Sequence, residues 1–177
     1  MKKIIFFDGD GTLWYPKTTK YKKEPHWIYF NSKTSKNPNK HLMLIPTVLF
    51  TLRRLKKQKI ILIVLSTHPH PPKQADILIK GKIKHFNLHN LFDEIHATKT
   101  YYKSKGEIML KILKRRNISK SKALMVGDQY LWDYKPAKEN GIDAILIESE
   151  YMKNFHSIKG IKTIKKLRDL LKIINNS

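Results

Sequence analysis

Three short apolar runs in this chain each stop on acidic, hydroxyl or glycine residues. Residues 3–7 run into Asp8-Gly9-Asp10-Gly11, residues 60–65 into Ser66-Thr67, and residues 123–126 into Gly127-Asp128. Runs of this length, apolar on both faces and rich in β-branched residues, read as strands buried in a parallel sheet. Amphipathic stretches separate them. One helix is expected from Pro46 through Gln58, with Val48, Leu49, Leu52 and Leu55 on one face. Others are expected over 74–85, over 106–116 and over 131–140, the last closing on Gly141. A weaker strand is expected at 94–97 and the last strand at 144–147, and Ile164, Leu167, Leu170, Leu171 and Ile174 mark a closing helix. Strands alternating with helices give a mainly parallel sheet covered on both faces, a three-layer α/β fold. In such sheets the ligand sits beyond the carboxyl ends of the strands, where the polar terminations collect.

A length of 177 residues suits one domain spanning the whole chain. Residues 14–41 hold Trp14, Tyr15, Tyr21, Trp27, Tyr29 and Phe30 among many lysines and keep no steady period. They read as a flap or small hairpin whose aromatics pack as a local core. No apolar run approaches membrane-spanning length, and the run at the amino end is cut short by Asp8, so neither a membrane span nor a signal peptide is expected. Cysteine is absent, which excludes disulfides and thiolate chemistry and fits a reducing cytoplasm. Lysine and arginine number 36 against 14 acidic residues, a net charge of +22 that draws anions, whether phosphorylated metabolites or nucleic acid. The excess is mostly lysine spread along the chain, with arginine only at positions 53, 54, 115, 116 and 168. That pattern favours a phosphorylated small molecule as partner over a nucleic acid.

The polar terminations carry the chemistry. Asp8 and Asp10 leave the first strand two residues apart, so their side chains emerge on the same side. Neighbouring carboxylates repel unless a cation joins them or one keeps a proton. Asp128 brings a third carboxylate to the same rim, making an oxygen-rich site suited to Mg2+. Ser66 and Lys105 are placed to neutralise and orient a phosphoryl group, and the loop glycines let backbone N–H groups approach an anion. A carboxylate attacks phosphorus once metal and lysine remove the charge repulsion. A calcium loop of the EF-hand type is excluded, because Leu13 stands at its required glycine and Thr19 at its required glutamate.

Taken together, Asp8-Gly9-Asp10-Gly11-Thr12, Ser66-Thr67, Lys105-Gly106-Glu107-Ile108 and Gly127-Asp128 with Asp133 resemble the motifs of the haloacid dehalogenase superfamily. The order and spacing of all four carry the likeness, where any one would be weak. The resemblance implies a Rossmann-like phosphatase with a short flap and no full cap domain. It implies Asp8 as nucleophile, Asp10 as general acid and base, and Ser66 and Lys105 as the phosphoryl-holding pair. Gly11, Thr12, Thr67 and Lys103 are further phosphate-contact candidates, Lys103 as a rival to Lys105. Asp8, Asp128 and the backbone of Asp10 are the implied magnesium ligands, with Asp133 in or just behind that shell. Asp133 lies five residues after Asp128, where many members use four. His68 and His70 lie past a catalytic strand end and are candidates for substrate contact.

Overall fold

The computed structural model describes residues 1–98, 104–152 and 160–175. Strand β1 (Ile4–Phe7) lies between β4 (Ile61–Thr67) and β6 (Ala123–Gly127), paired in parallel with both. Strand β5 (Glu94–Thr98) extends the sheet beside β4, while β7 (Asp143–Ile147) and the two-residue β8 (Thr163–Ile164) extend it beyond β6. The order is β5-β4-β1-β6-β7-β8, parallel throughout. From β1 the chain first builds outward through β4 and β5, then returns to β6 on the other side. The direction reverses between β1 and β6, where such sheets leave a crevice for ligands.

The alternation along β1 explains the layers. Ile5 and Phe7 point to one face, where they join Leu52 and Leu55 of α1 (Val48–Lys57), Ile79 and Ile83 of α2 (Pro72–His85), and Leu170 and Ile174 of α5 (Leu170–Asn175). Ile4 and Phe6 point to the other, against Met109, Ile112 and Leu113 of α3 (Ser104–Arg115) and Ala137 of α4 (Lys135–Glu139). All four β1 side chains are fully buried. At about 1.5–3 kcal/mol for each large apolar side chain, this burial anchors β1 from both faces of the sheet.

Several element bounds differ from the sequence expectation, each for a local reason. Helix α1 starts at Val48 rather than Pro46, because Thr47 adopts a left-handed backbone (φ 74°). Helix α2 starts two residues earlier, at Pro72, a residue suited to a first turn. Ile164 belongs to β8, paired with Ile147, and not to the closing helix, which begins only at Leu170. Over 131–140, residues Tyr130–Tyr134 form a π-helical turn and only Lys135–Glu139 are α-helical. The 14–41 region opens an antiparallel hairpin, with β2 (Trp14–Pro16) paired to β3 (Leu42–Leu44) and 3-10 turns between them. Its aromatics do pack locally: Tyr15 meets Tyr21 edge-on at 5.0 Å, and Trp14 and Tyr29 are buried. No described helix is long and apolar enough to cross a membrane.

Candidate active site

The register that pairs Phe7 with Val64 and with Val126 brings the ends of three strands together. Asp8, Asp10, Thr67, Lys105, Asp128 and Asp133 thereby line one cavity of about 470 Å³. Its other walls are Glu24, Pro25 and His26 from the hairpin insert, His68 and Pro69 after β4, and Gln129 and Trp132 after β6.

Lys105, at the start of α3, is buried, and its ammonium donates to Asp8 Oδ1 at 2.6 Å and to Asp133 Oδ1. Burial opposes its charge, but Asp133 and Asp8 outweigh that cost and hold its pKa above the ordinary lysine value. The other oxygen of Asp133 accepts the backbone N–H groups of Asp128 (3.2 Å) and Gln129 (2.9 Å), fixing the loop after β6. The five-residue spacing from Asp128 is absorbed by the π-helical turn, which closes with Tyr134 N–H donating to the Gln129 carbonyl. Asp128 accepts from Tyr151 Oη at 2.8 Å and from Thr12 Oγ1 at 3.3 Å.

Gly11 turns the loop after β1 at φ 82°, and a β-carbon there would collide with the Asp128 carboxylate. The Ser66 hydroxyl, near the end of β4, is buried with no partner among the described residues, and Ser66 is not among the residues that line the cavity. Thr67 lines the cavity while its hydroxyl bonds to that of Thr98 at 2.7 Å. Lys103 lies outside the described residues.

Oxygens of Asp8, Asp128 and Asp133 lie within 4.8 Å of one another, all from buried residues. Burial, Asp8 and Asp133 push the Asp128 carboxyl well above the usual carboxylate range, and burial and Asp8 raise Asp133 despite Lys105. Three clustered carboxylates served by one ammonium leave negative charge unbalanced, and a hard divalent cation fits that donor set.

Asp10 stands apart from this cluster. Its Oδ1 accepts from Tyr29 Oη at 2.6 Å, and its Oδ2 accepts from Lys82 Nζ at 2.9 Å. Burial, the largest single influence, would raise the Asp10 pKa; Lys82, His26, Tyr29 and His68 together outweigh it and hold it at about 2. The His68 ring is buried and kept neutral, its pKa lowered to about 3 by burial and by Lys82. His70 sits against it with the two Nδ1 atoms 3.0 Å apart, but His70 does not line the cavity.

Sequence reasoning missed Tyr29, Lys82, Tyr151, His26 and Trp132. For Lys82 a signal was present: it shares the inward stripe of α2 with Ala75, Ile79 and Ile83, all buried, where a lysine is out of place. Tyr29 and His26 lie in the aperiodic insert, where no pattern orients a side chain.

The sequence matches the profile of the haloacid dehalogenase-like hydrolases over residues 6–147. A search among curated proteins returns no significant match. Solved structures do resemble this chain. A haloacid dehalogenase-like family hydrolase from Streptococcus pneumoniae superposes with a TM-score of 0.71 at 17% identity, covering 98% of each chain. A HAD phosphatase from Thermococcus onnurineus gives 0.70 at 18% identity, again over 98% of each. A HAD-superfamily hydrolase from Ehrlichia chaffeensis gives 0.66 at 21% identity, over 99% of this chain and 98% of the other. At these identities the likeness is one of fold.

Proposed function

Since this chain belongs to the haloacid dehalogenase-like hydrolases, we propose that it is a magnesium-dependent phosphatase that cleaves phosphomonoesters through an aspartyl phosphate on Asp8. The observation that carries this reading is the buried Lys105 ammonium shared by Asp8 and Asp133, with Asp128 lining the same cavity. A phosphoryl dianion entering there would meet a carboxylate nucleophile and an ammonium together, and the Ser66 hydroxyl near the end of β4 is the proposed further donor. Asp8 and Asp128, with the Asp10 backbone, would hold Mg2+. That ion supplies charge neutralisation, so that the dianion can approach the carboxylates. Asp133 holds Lys105 and the loop after β6 in place, and its closeness to Asp8 and Asp128 supports a role in or beside the same shell.

In the first half-reaction a carboxylate oxygen of Asp8 bonds to phosphorus and the ester P–O bond breaks. The leaving alkoxide takes its proton from Asp10. In the second half, water attacks the acyl phosphate and gives a proton back to Asp10, freeing inorganic phosphate and Asp8. The ionised Asp10 described above is the form that the second half requires; for the first half its carboxyl must take up a proton, which the leaving oxygen then carries away. The leaving group would lie against Pro25, His26, His68 and Trp132, a mixed apolar and imidazole wall suited to a small phosphorylated metabolite. We read the chain as one domain, with the 14–41 insert as a flap over this wall.

The test is transfer of a labelled phosphoryl group. An aryl or alkyl phosphomonoester labelled at phosphorus, mixed with enzyme and magnesium and quenched in acid, should leave label on the wild type and none on Asp8→Asn. Turnover without trapped label, surviving in Asp8→Asn, would overturn the reading.

A further inference from the structure

Lys82, like Lys105, is a fully buried lysine beside an aspartate of the site, and nothing in the phosphoryl-binding half uses it. It is fully buried on the inward stripe of α2, where a leucine or methionine would pack without removing a charge from water. Its ammonium donates to Asp10 Oδ2 at 2.9 Å, contacts the Tyr29 hydroxyl, and lies 4.4 Å from the Tyr29 ring centre and 5.6 Å from that of Trp14. Tyr29 takes the other oxygen of Asp10 at 2.6 Å. Both carboxylate oxygens of Asp10 are thus gripped, one from the insert and one from α2. The two lysines divide the acids between them: Lys105 serves Asp8 and Asp133, and Lys82 serves Asp10.

We propose that Lys82 and Tyr29 are positioning residues that aim the Asp10 carboxyl at the leaving-group oxygen, an assignment that rests on the phosphatase reading above. Neither residue touches the nucleophile in this arrangement. In its protonated form the Asp10 carboxyl can accept both contacts on its remaining lone pairs and still direct its O–H to a substrate oxygen. Held at fixed orientation, it loses little on reaching the transition state. The clamp also ties the insert to the acid/base residue, so the wall that meets the leaving group and the group that protonates it move as one unit.

The prediction concerns which substrates suffer. p-Nitrophenolate departs without a proton, whereas phenolate and alkoxides need one, so a misaimed general acid penalises poor leaving groups selectively. The measurement is kcat/KM, which reports the phosphorylation half-reaction, for p-nitrophenyl phosphate, phenyl phosphate and an alkyl phosphate with magnesium. In Lys82→Met the nitrophenyl ester should lose less than about 10-fold and the poorer leaving groups about 100-fold or more, within the range of general acid catalysis. Tyr29→Phe, which keeps the ring and its packing, should steepen the same dependence and decides the matter if Lys82→Met does not fold. An equal loss across the three esters, or none, would overturn the clamp. A wild type that turns over none of them sinks the phosphatase reading itself, and the clamp with it.

Discussion

At Lys105, a single side chain meets two carboxylates from different elements, and its removal would leave both of them buried and unpaired. Lys105→Ala should therefore lower kcat/KM by about 100-fold or more, whereas Lys103→Ala should cost far less; steady-state kinetics on one ester ranks them. Gly127 tests the support behind this pair. A β-carbon there would overlap the Asp133 carboxylate, which holds Lys105 and the backbone of Asp128 and Gln129. Gly127→Ala should cost about 1–3 kcal/mol of stability by overpacking and should also depress activity strongly. A fully active Gly127→Ala would mean that Asp133 has no part in placing the lysine. At this scale the sequence spoke where a motif fixed the spacing, as at Asp8, Lys105 and Asp128. It was silent at Tyr29 and Tyr151, because their roles depend on where an irregular segment lands, which is a tertiary outcome. Lys82 falls between the two: the helical period placed it inward, but only the fold shows which acid it meets.

Among the elements, the strands were the most legible, since a run apolar on both faces has few other homes. Helix boundaries were less so, because a left-handed Thr47 and a π-helical turn are backbone choices that hydrophobic spacing does not encode. The turn matters functionally: it lets a five-residue spacing deliver Asp133 to the cavity. Strand β5, at the edge of the sheet, shows how an element is held where core contacts are fewer. Glu94 accepts from His96 Nε2 at 2.7 Å, from Arg116 Nε at 2.8 Å, and from Arg115, both arginines reaching from the end of α3. Burial opposes its charge, but the hydrogen bonds of His96, Arg115 and Arg116 hold the Glu94 pKa at about 2 against an ordinary 4.5. A depressed carboxyl stabilises the fold at pH values above the unfolded pKa and loses that contribution as pH falls toward the folded one. Glu94→Gln should then be less stable than wild type at neutral pH by on the order of 1–2 kcal/mol, allowing for solvent screening. The gap in urea midpoint should close between about pH 4.5 and 2. A gap independent of pH would assign the loss to packing instead.

Across the whole molecule, the +22 charge has two readings that salt separates. If it serves a nucleic-acid substrate, several lysines must each displace a counterion from phosphate, and affinity must fall log-linearly and steeply as salt rises. The exposed lysines of the insert, Lys17, Lys20, Lys22 and Lys23, are the natural candidates for such contacts. Bases would then need aromatic faces to stack on. The structure spends most of those faces internally, leaving Phe30 exposed: Tyr29 is buried against His68 and Lys82, Trp14 stacks on Phe86, and Trp27 donates to Thr19 and carries Lys23 over its ring. A positive surface that, among the described residues, offers few free aromatic faces raises the local concentration of any small anion more than it selects a polymer. The expected outcome is therefore mild. Between about 50 and 200 mM salt, KM for a small phosphomonoester should rise by less than about threefold, and neutralising the four insert lysines should change it little. A single-stranded oligonucleotide carrying a terminal phosphate, titrated over the same range, should bind weakly if at all. Tight binding with a steep slope, flattened by neutralising those lysines, would make nucleic-acid ends the substrate and assign the surface charge a direct role in holding it.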